Sequence, residues 1–314
     1  MSATLKNFAD RVQHACQQKH SFLIAGFDPD LDKFPRSILK TATARSTELS
    51  EQIEAALVLY YTMAIETLAP LVVGIKPNWA YFEQYGLPGL SALSEVCKIA
   101  QQHGLLVIAD CKRGDIGPTA LAYARAFLGG SKVFGQSIPA FAADAMTVNP
   151  FLGFDTVEPF LTECIAQDKG IFVLVKTSNP GSADLQNRAG SDKQTISHRI
   201  AAWISANAGR LLGSSGFSAL GAVVGATYPN EARELRKLMP RSLFLIPGFG
   251  AQGAAAGDAV SGFAGQSGAG LINVSRGLLS AFSSLELSET EMRTELKALA
   301  GNFNTRINAA VQSL

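Results

Sequence analysis

The sequence predicts a single-domain α/β protein, a (β/α)8 TIM barrel covering residues 1–314, and three observations carry that expectation. Short apolar runs recur eight times, at 21–28, 71–78, 105–112, 145–149, 171–178, 220–227, 242–250 and 269–276. Runs of this kind suit strands buried on both faces, as in a parallel sheet. Stretches with helix-like patterning lie between most of them, at 50–68, 90–103, 118–127, 154–167, 195–212 and 230–238. Strand alternating with helix gives βαβ units, and eight such units close into a barrel. Finally, most runs end on a polar or charged residue: Asp28, Lys76, Lys112, Asn149, Ser178, Thr227 and Arg276. Active sites of such barrels are built at the carboxyl ends of the strands. Strand ends meeting solvent also turn polar, but that explains less well the charges just inside the apolar runs.

The remaining segments fit around this frame. Residues 248–270 are rich in Gly, Ala and Ser and read as a loop with a small-residue helix, because the apolar run that follows completes the count of strands. Segments 29–47 and 179–197 are longer than barrel closure requires, which marks them as functional or disordered loops. Residues 287–314 read as a final amphipathic helix against the barrel base or rim.

Composition narrows the function. The chain is 47% hydrophobic, ample for a large core, and its formal net charge is +1 with the two signs interspersed. No long basic run offers a surface for nucleic acid or an anionic membrane, and no stretch reaches the apolar length of a membrane span. Cys16, Cys97, Cys111 and Cys164 are scattered without zinc spacing, and no apolar leader opens the sequence, so reduced thiols in a soluble cytoplasmic protein are expected. His14, His20, His103 and His198 fall in helices or connections, which disfavours a Ser-His-Asp hydrolase. Trp79 and Tyr81, just after the second run, are expected to pack near the barrel mouth or an interface.

The sharpest motif is Ala109-Asp110-Cys111-Lys112-Arg113-Gly114-Asp115-Ile116-Gly117. On a strand, Asp110 and Lys112 share a face and point into the barrel mouth, while Cys111 points toward the helices. Gly114 and Gly117 free the loop that carries Asp115. Lys76 ends the neighbouring strand, so two lysines and two aspartates are expected to converge. Flanking carboxylates favour the ammonium form of a lysine and make it a positioned proton donor. A substrate carboxylate beside Asp110 would meet a like charge that vanishes on loss of CO2. A structural ion-pair network is the plainer alternative, and Mg²⁺ held by Asp110 and Asp115 is another, costly beside two lysines.

At these residues the chain resembles the orotidine 5′-phosphate decarboxylase family, whose D-x-K-x-x-D-I motif, followed by Gly or Pro and then Thr, is matched by Asp110, Lys112, Asp115, Ile116, Gly117 and Thr119. The form K-R-G-D-I-G, with Lys76-Pro77-Asn78 and Phe82-Glu83, is similar to the longer, mainly bacterial branch. The resemblance implies cofactor-free decarboxylation of orotidine 5′-phosphate to UMP, without a metal. It implies that Asp28 binds ribose hydroxyls, Lys76 holds ribose and the charge network, Asp110 faces the leaving carboxylate, and Lys112 protonates C6. Asp115 and Thr119 would reach into the site of a second subunit, making a homodimer with shared sites. Ser178 would contact the pyrimidine, and Gln252 and Arg276 the phosphate. Chain position points the same way for that last pair: Gly250 and Gln252 follow strand seven, Arg276 and Gly277 follow strand eight, and barrel phosphate sites often form there. Asn78 and Asn149 are expected to line the site without assigned roles.

Three other activities fit parts of the same pattern. Related Mg²⁺-dependent phosphosugar barrels share D-x-K-x-x-D, and EDTA separates them, since turnover of orotidine 5′-phosphate should survive it. A Schiff-base aldolase using Lys176 would be trapped by borohydride. A non-catalytic barrel would bind UMP without turning over its carboxylated precursor.

Overall fold

Val, Ile, Leu and Ala dominate the strands, and in a computed structural model of the chain they close a parallel eight-stranded barrel. The structure describes residues 5–138, 141, 143–250, 254–263, 265, 268–282 and 285–314. The barrel strands are β1 (Leu23–Phe27), β2 (Gly74–Pro77), β3 (Leu106–Arg113), β4 (Ala145–Val148), β5 (Gly170–Lys176), β6 (Ser218–Val224), β7 (Ser242–Ile246) and β8 (Gly270–Val274). Each pairs with its neighbours in sequence, and β8 closes on β1 through Leu23 opposite Ile272 and Ile24 opposite Asn273. All eight correspond to apolar runs of the sequence, mostly as shorter segments inside them. Residues of β1, β2, β4, β6, β7 and β8 are buried throughout, as a sheet covered on both faces requires.

Several elements were not anticipated from the sequence. Helix Phe8–Lys19 lies across the amino ends of the strands, with Phe8, Ala9, Val12 and Cys16 buried. Its Arg11 pairs with Asp144 before β4 at 2.6 Å, Gln13 donates to the Gly268 carbonyl before β8, and Lys19 donates to the Val72 carbonyl before β2. It therefore plugs the barrel at the end opposite the predicted site. Segment 29–47 carries helix Arg36–Thr43, tied to the chain near the last helix by Ser37 Oγ donating to the Leu287 carbonyl. Segment 179–197 is likewise ordered, with a short helix Ala183–Gln186 and a bridge between Ala189 and Thr195. An exposed antiparallel hairpin, Ser131–Val133 with Gln136–Ile138, precedes β4. Its turn uses Phe134 and Gly135 at positive φ, the geometry of tight hairpins.

The last helix, Glu289–Gln312, is capped by Ser288 and Glu291 as the S-x-x-E pattern allows. It packs on helix Leu49–Leu68, where Arg293 bridges Glu66 and Glu289, and so completes the outer ring rather than a base. The buried guanidinium of Arg236 has no carboxylate partner among the described residues. Arg236 donates to the carbonyls of Gly262, Met239, Ser242 and Ala269 and lies over the Phe244 ring. Burial pulls its pKa down to about 9, and the four carbonyls supply the hydrogen bonds that lost water would have made. Among the described residues, no helix is long and apolar enough to cross a membrane.

Candidate active site

The carboxyl end of the barrel holds a chain of alternating charge. In-register pairing of Gly26 with Lys76 places β1 and β2 side chains on one inward face, and Asp28, two residues on from Gly26, is carried above it. The Lys76 ammonium donates to Asp110 Oδ2 at 2.5 Å, and the Lys112 ammonium donates to Asp110 Oδ1 at 2.5 Å. Side-chain exposure is 6% for Lys76, 10% for Asp110 and 48% for Lys112. Asp110 is thus clamped between a buried and an accessible ammonium, and of the two lysines Lys112 is the freer to meet an incoming ligand.

Burial alone would raise the Asp110 carboxyl, but the charges and hydrogen bonds of Lys76 and Lys112 outweigh it and hold the group well below its ordinary 3.8. Burial likewise pulls Lys76 down, and the charges of Asp110 and Asp28 reverse this, leaving it above 10.5. The second carboxylate acting on this pair is therefore Asp28, not Asp115 as the spacing suggested. Asp115 is half-buried in its loop, where its Oδ1 accepts the Ile116 N–H at 2.7 Å. The expected quartet is corrected accordingly: three strand ends supply it, while Asp115 sits in the loop between β3 and helix Gly117–Ala124, which opens on Gly117 at φ +43. Thr119 and Ile116 in that stretch are exposed.

The shared face of Asp110 and Lys112 has a different origin from a regular pleat. Ala109 pairs with Met146 and Arg113 with Val148, so three residues of β3 stand opposite Thr147 alone. Lys112 sits in this bulge at φ +44, a left-handed conformation that is strained for a lysine. Cys111, expected to face the helices, is buried with its thiol 3.7 Å from the Thr147 carbonyl on β4. Arg113 anchors the far end of the bulge through an ion pair with Glu83 and packing over Tyr123.

Above the clamp lies a cavity of about 330 Å³. Lys76, Asp110, Lys112 and Thr147 form its charged side, Thr177, Ser178 and Asn179 its polar rim, and Leu174, Val223, Leu245 and Pro247 its apolar wall. An aromatic or heterocyclic ring presented to an ammonium suits such a lining. Asp28 Oδ1 is buried without a hydrogen-bond partner among the described residues, which leaves an acceptor for a ligand hydroxyl. Asn78 is half-buried and bridges to Asp110 through backbone pairing. Asn149, by contrast, is exposed and its Oδ1 accepts the Phe151 N–H in its own loop.

The residues expected at a phosphate follow β7 and β8. Arg276 is exposed at the start of helix Arg276–Leu279 and has no ion pair among the described residues. Gly250, at φ +80, makes the turn after β7. Gly277 is needed for packing, since a Cβ there would come within 2.9 Å of the Phe303 ring. Gln252 lies outside the described residues. Lys176, the alternative nucleophile, is buried and donates to Asn187 Oδ1 at 2.7 Å with Tyr228 beneath its ammonium, outside the cavity lining. The four histidines stand apart from the cavity lining.

Sequence reasoning passed over three interior polar residues: Thr147, Asn273 and Ser275. Asn273 is buried with Oδ1 unpartnered among the described residues, and Gly26 leaves room for it and for Ser275, whose Oγ a Cβ would overlap. A polar residue at an inward position of an otherwise apolar run, as in Ala145-Met146-Thr147-Val148 and Leu271-Ile272-Asn273-Val274, was the available sign.

Residues 59–286 match the Orotidine 5′-phosphate decarboxylase / HUMPS family. The chain is 36% identical over 309 residues to the orotidine 5′-phosphate decarboxylase of Caldicellulosiruptor bescii, covering 97% of this chain and 99% of that one. It is 43% identical over 251 residues to the enzyme of the same name from Deinococcus radiodurans, covering 75% of this chain and 85% of the other. Its fold is similar to the solved structure of Leishmania donovani OMP decarboxylase, with a TM-score of 0.69 at 30% identity, over 98% of this chain and 99% of that one.

Proposed function

The chain belongs to the orotidine 5′-phosphate decarboxylase family and decarboxylates orotidine 5′-phosphate to UMP in pyrimidine biosynthesis, and from that premise we propose how its own residues do so. The observation that carries the proposal is the clamp on Asp110 by Lys76 and Lys112 at the cavity wall. The substrate carboxylate lies against Asp110, where two like charges repel. The C6–carboxylate bond breaks with its electron pair left on C6, and CO2 departs. The Lys112 ammonium faces the developing carbanion, so its attraction grows toward the transition state. Lys112 then donates its proton to C6, giving UMP and a neutral amine that water reprotonates.

The rest of the substrate is held by groups around the same mouth. Asp28, with its unpartnered buried oxygen, accepts from the ribose hydroxyls, and Lys76 donates beside it. Ser178, on the polar rim of the cavity, contacts the pyrimidine, and Asn78 stands beside Asp110. Arg276, without an ion pair among the described residues at the start of helix Arg276–Leu279, takes the phosphate together with Gln252, Gly250 and Gly277. These assignments use no cofactor or metal. Four buried free cysteines fit a reducing cytoplasmic setting.

Asp115 and Thr119 complete the site of a second copy in a homodimer. Two features support this: Asp115 is not among the residues lining its own cavity, and Ile116 beside it is 62% exposed on the same loop. Mixing inactive Asp115→Ala and Lys112→Ala chains should therefore restore turnover. Heterodimers carry one site lacking both groups and one lacking neither, so about half of their sites should work. Purified heterodimers with no recovered activity would rule out sharing across the interface.

A further inference from the structure

We propose that Thr147 is a positioning residue for the decarboxylation, its hydroxyl holding the Lys112 backbone and the Asp110 carboxylate in one fixed relation. The proposal rests on the reading of Lys112 and Asp110 given above. It begins with the bulge in β3. The ladder between β3 and β4 is regular on both sides of it, with Asp144 N–H donating to the Val107 carbonyl and Asn149 N–H to the Arg113 carbonyl. Between those points Asp110, Cys111 and Lys112 oppose the single residue Thr147. A bulge of this kind strands backbone groups that a regular ladder would pair.

The Lys112 N–H is such a group, and it donates to Thr147 Oγ1 at 2.9 Å instead of to a strand carbonyl. The same hydroxyl donates its proton to Asp110 Oδ1 at 3.2 Å. That oxygen also receives the Lys112 ammonium. One side chain, 1% exposed, therefore closes a ring that runs from the Lys112 backbone through Thr147 to Asp110 and back through the Lys112 side chain.

A buried threonine must satisfy its hydroxyl somewhere, and an ordinary one bonds to its own or a neighbouring strand's backbone. Here both its bonds go to the two groups that touch the reacting atoms. Lys112 would not hold φ +44 without some such tether, because the left-handed region is unfavourable for a side chain of this kind. Loss of the tether frees the bulge to relax and moves the ammonium relative to the cavity, while Asp28, Ser178 and Arg276 keep their places.

The test compares Thr147→Val, which keeps shape and removes the hydroxyl, with Thr147→Ser, which keeps the hydroxyl and removes the methyl. The valine variant should lose about 10- to 100-fold in kcat with KM within about threefold. Serine should restore kcat to within about threefold of the unaltered chain. Amide hydrogen exchange at Lys112 provides a readout independent of turnover, with protection lost in the valine variant and kept in the serine variant. Unaltered kcat in Thr147→Val, equal loss in both variants, or unchanged exchange at Lys112 would each overturn the proposal. If the valine chain does not fold, Thr147→Ala takes its place in the same comparison with the same outcomes. Absence of turnover in the unaltered chain would strike at the decarboxylase reading, while the exchange measurement would still judge the tether.

Discussion

Replacing Lys112 with alanine should lower kcat for orotidine 5′-phosphate by about 10³- to 10⁴-fold, read as absorbance loss on adding substrate. Of the two ammonium groups on Asp110, Lys112 is the accessible one, at 48% against 6% for Lys76. Its removal takes away the proton donor and the charge facing the carbanion together. Lys76 cannot move into its place, since it is buried and already bonded to the other oxygen of Asp110. Lys112→Arg separates the two roles. Guanidinium keeps the positive charge but holds its protons too tightly to donate at neutral pH. Arginine should therefore remain nearly as inactive as alanine. Full turnover by Lys112→Ala would end the proton-donor assignment, and substantial turnover by Lys112→Arg would reduce Lys112 to a charge.

Asp110→Asn should both slow the reaction and destabilise the fold, and the second effect is the more diagnostic. The substitution keeps the shape of the carboxylate but leaves the Lys76 ammonium buried with no counter-charge in contact. Breaking a buried pair from one side costs roughly 3–5 kcal/mol in unfolding free energy. The pH dependence follows from the direction of each shift. Asp110 is lowered from 3.8, so its contribution to stability is present above 3.8 and is lost as pH falls through the lower folded value. Lys76 is raised from 10.5, so its contribution is present below 10.5 and is lost as pH rises through the higher folded value. Between these limits both groups stay charged in the native chain; in Asp110→Asn burial acts on Lys76 without the Asp110 charge against it, so the stability gap should be flat around neutral pH and narrow toward alkali. Urea unfolding at several pH values checks this. A gap below about 1 kcal/mol, or one that widens toward acid, would show that the clamp contributes little.

The two results depend on different parts of the same arrangement, and those parts were unequally legible. Lys112 and Asp110 stand two apart at the end of an apolar run, and residue type plus spacing was enough to bring them together. Lys76 followed from assuming sequential strand order, which the pairing of β2 with β3 bears out. Asp115 looked equally close in sequence, yet Asp28, more than eighty positions earlier, is the carboxylate that acts on Lys76 after Asp110 itself. Strand neighbours across the β8–β1–β2 seam decided this, and no local pattern reports it. Helix Phe8–Lys19 was legible in principle, because Phe8, Val12 and Cys16 recur at helical spacing. The polar character of the first residues obscured it.

What the sequence determined by itself was the alternation of strand and helix, the inward charges at the strand ends and the residues able to donate or accept a proton. Those are properties of residue type and of short-range periodicity, and they survive in any fold that buries the apolar faces. Tertiary structure alone decided the bulge in β3, the left-handed Lys112 and the use of Thr147 to tether it. Each depends on the register between strands that are far apart along the chain. Register is set by how the whole barrel packs and closes, so the residue that steadies the proton donor becomes visible only once β4 is laid against β3.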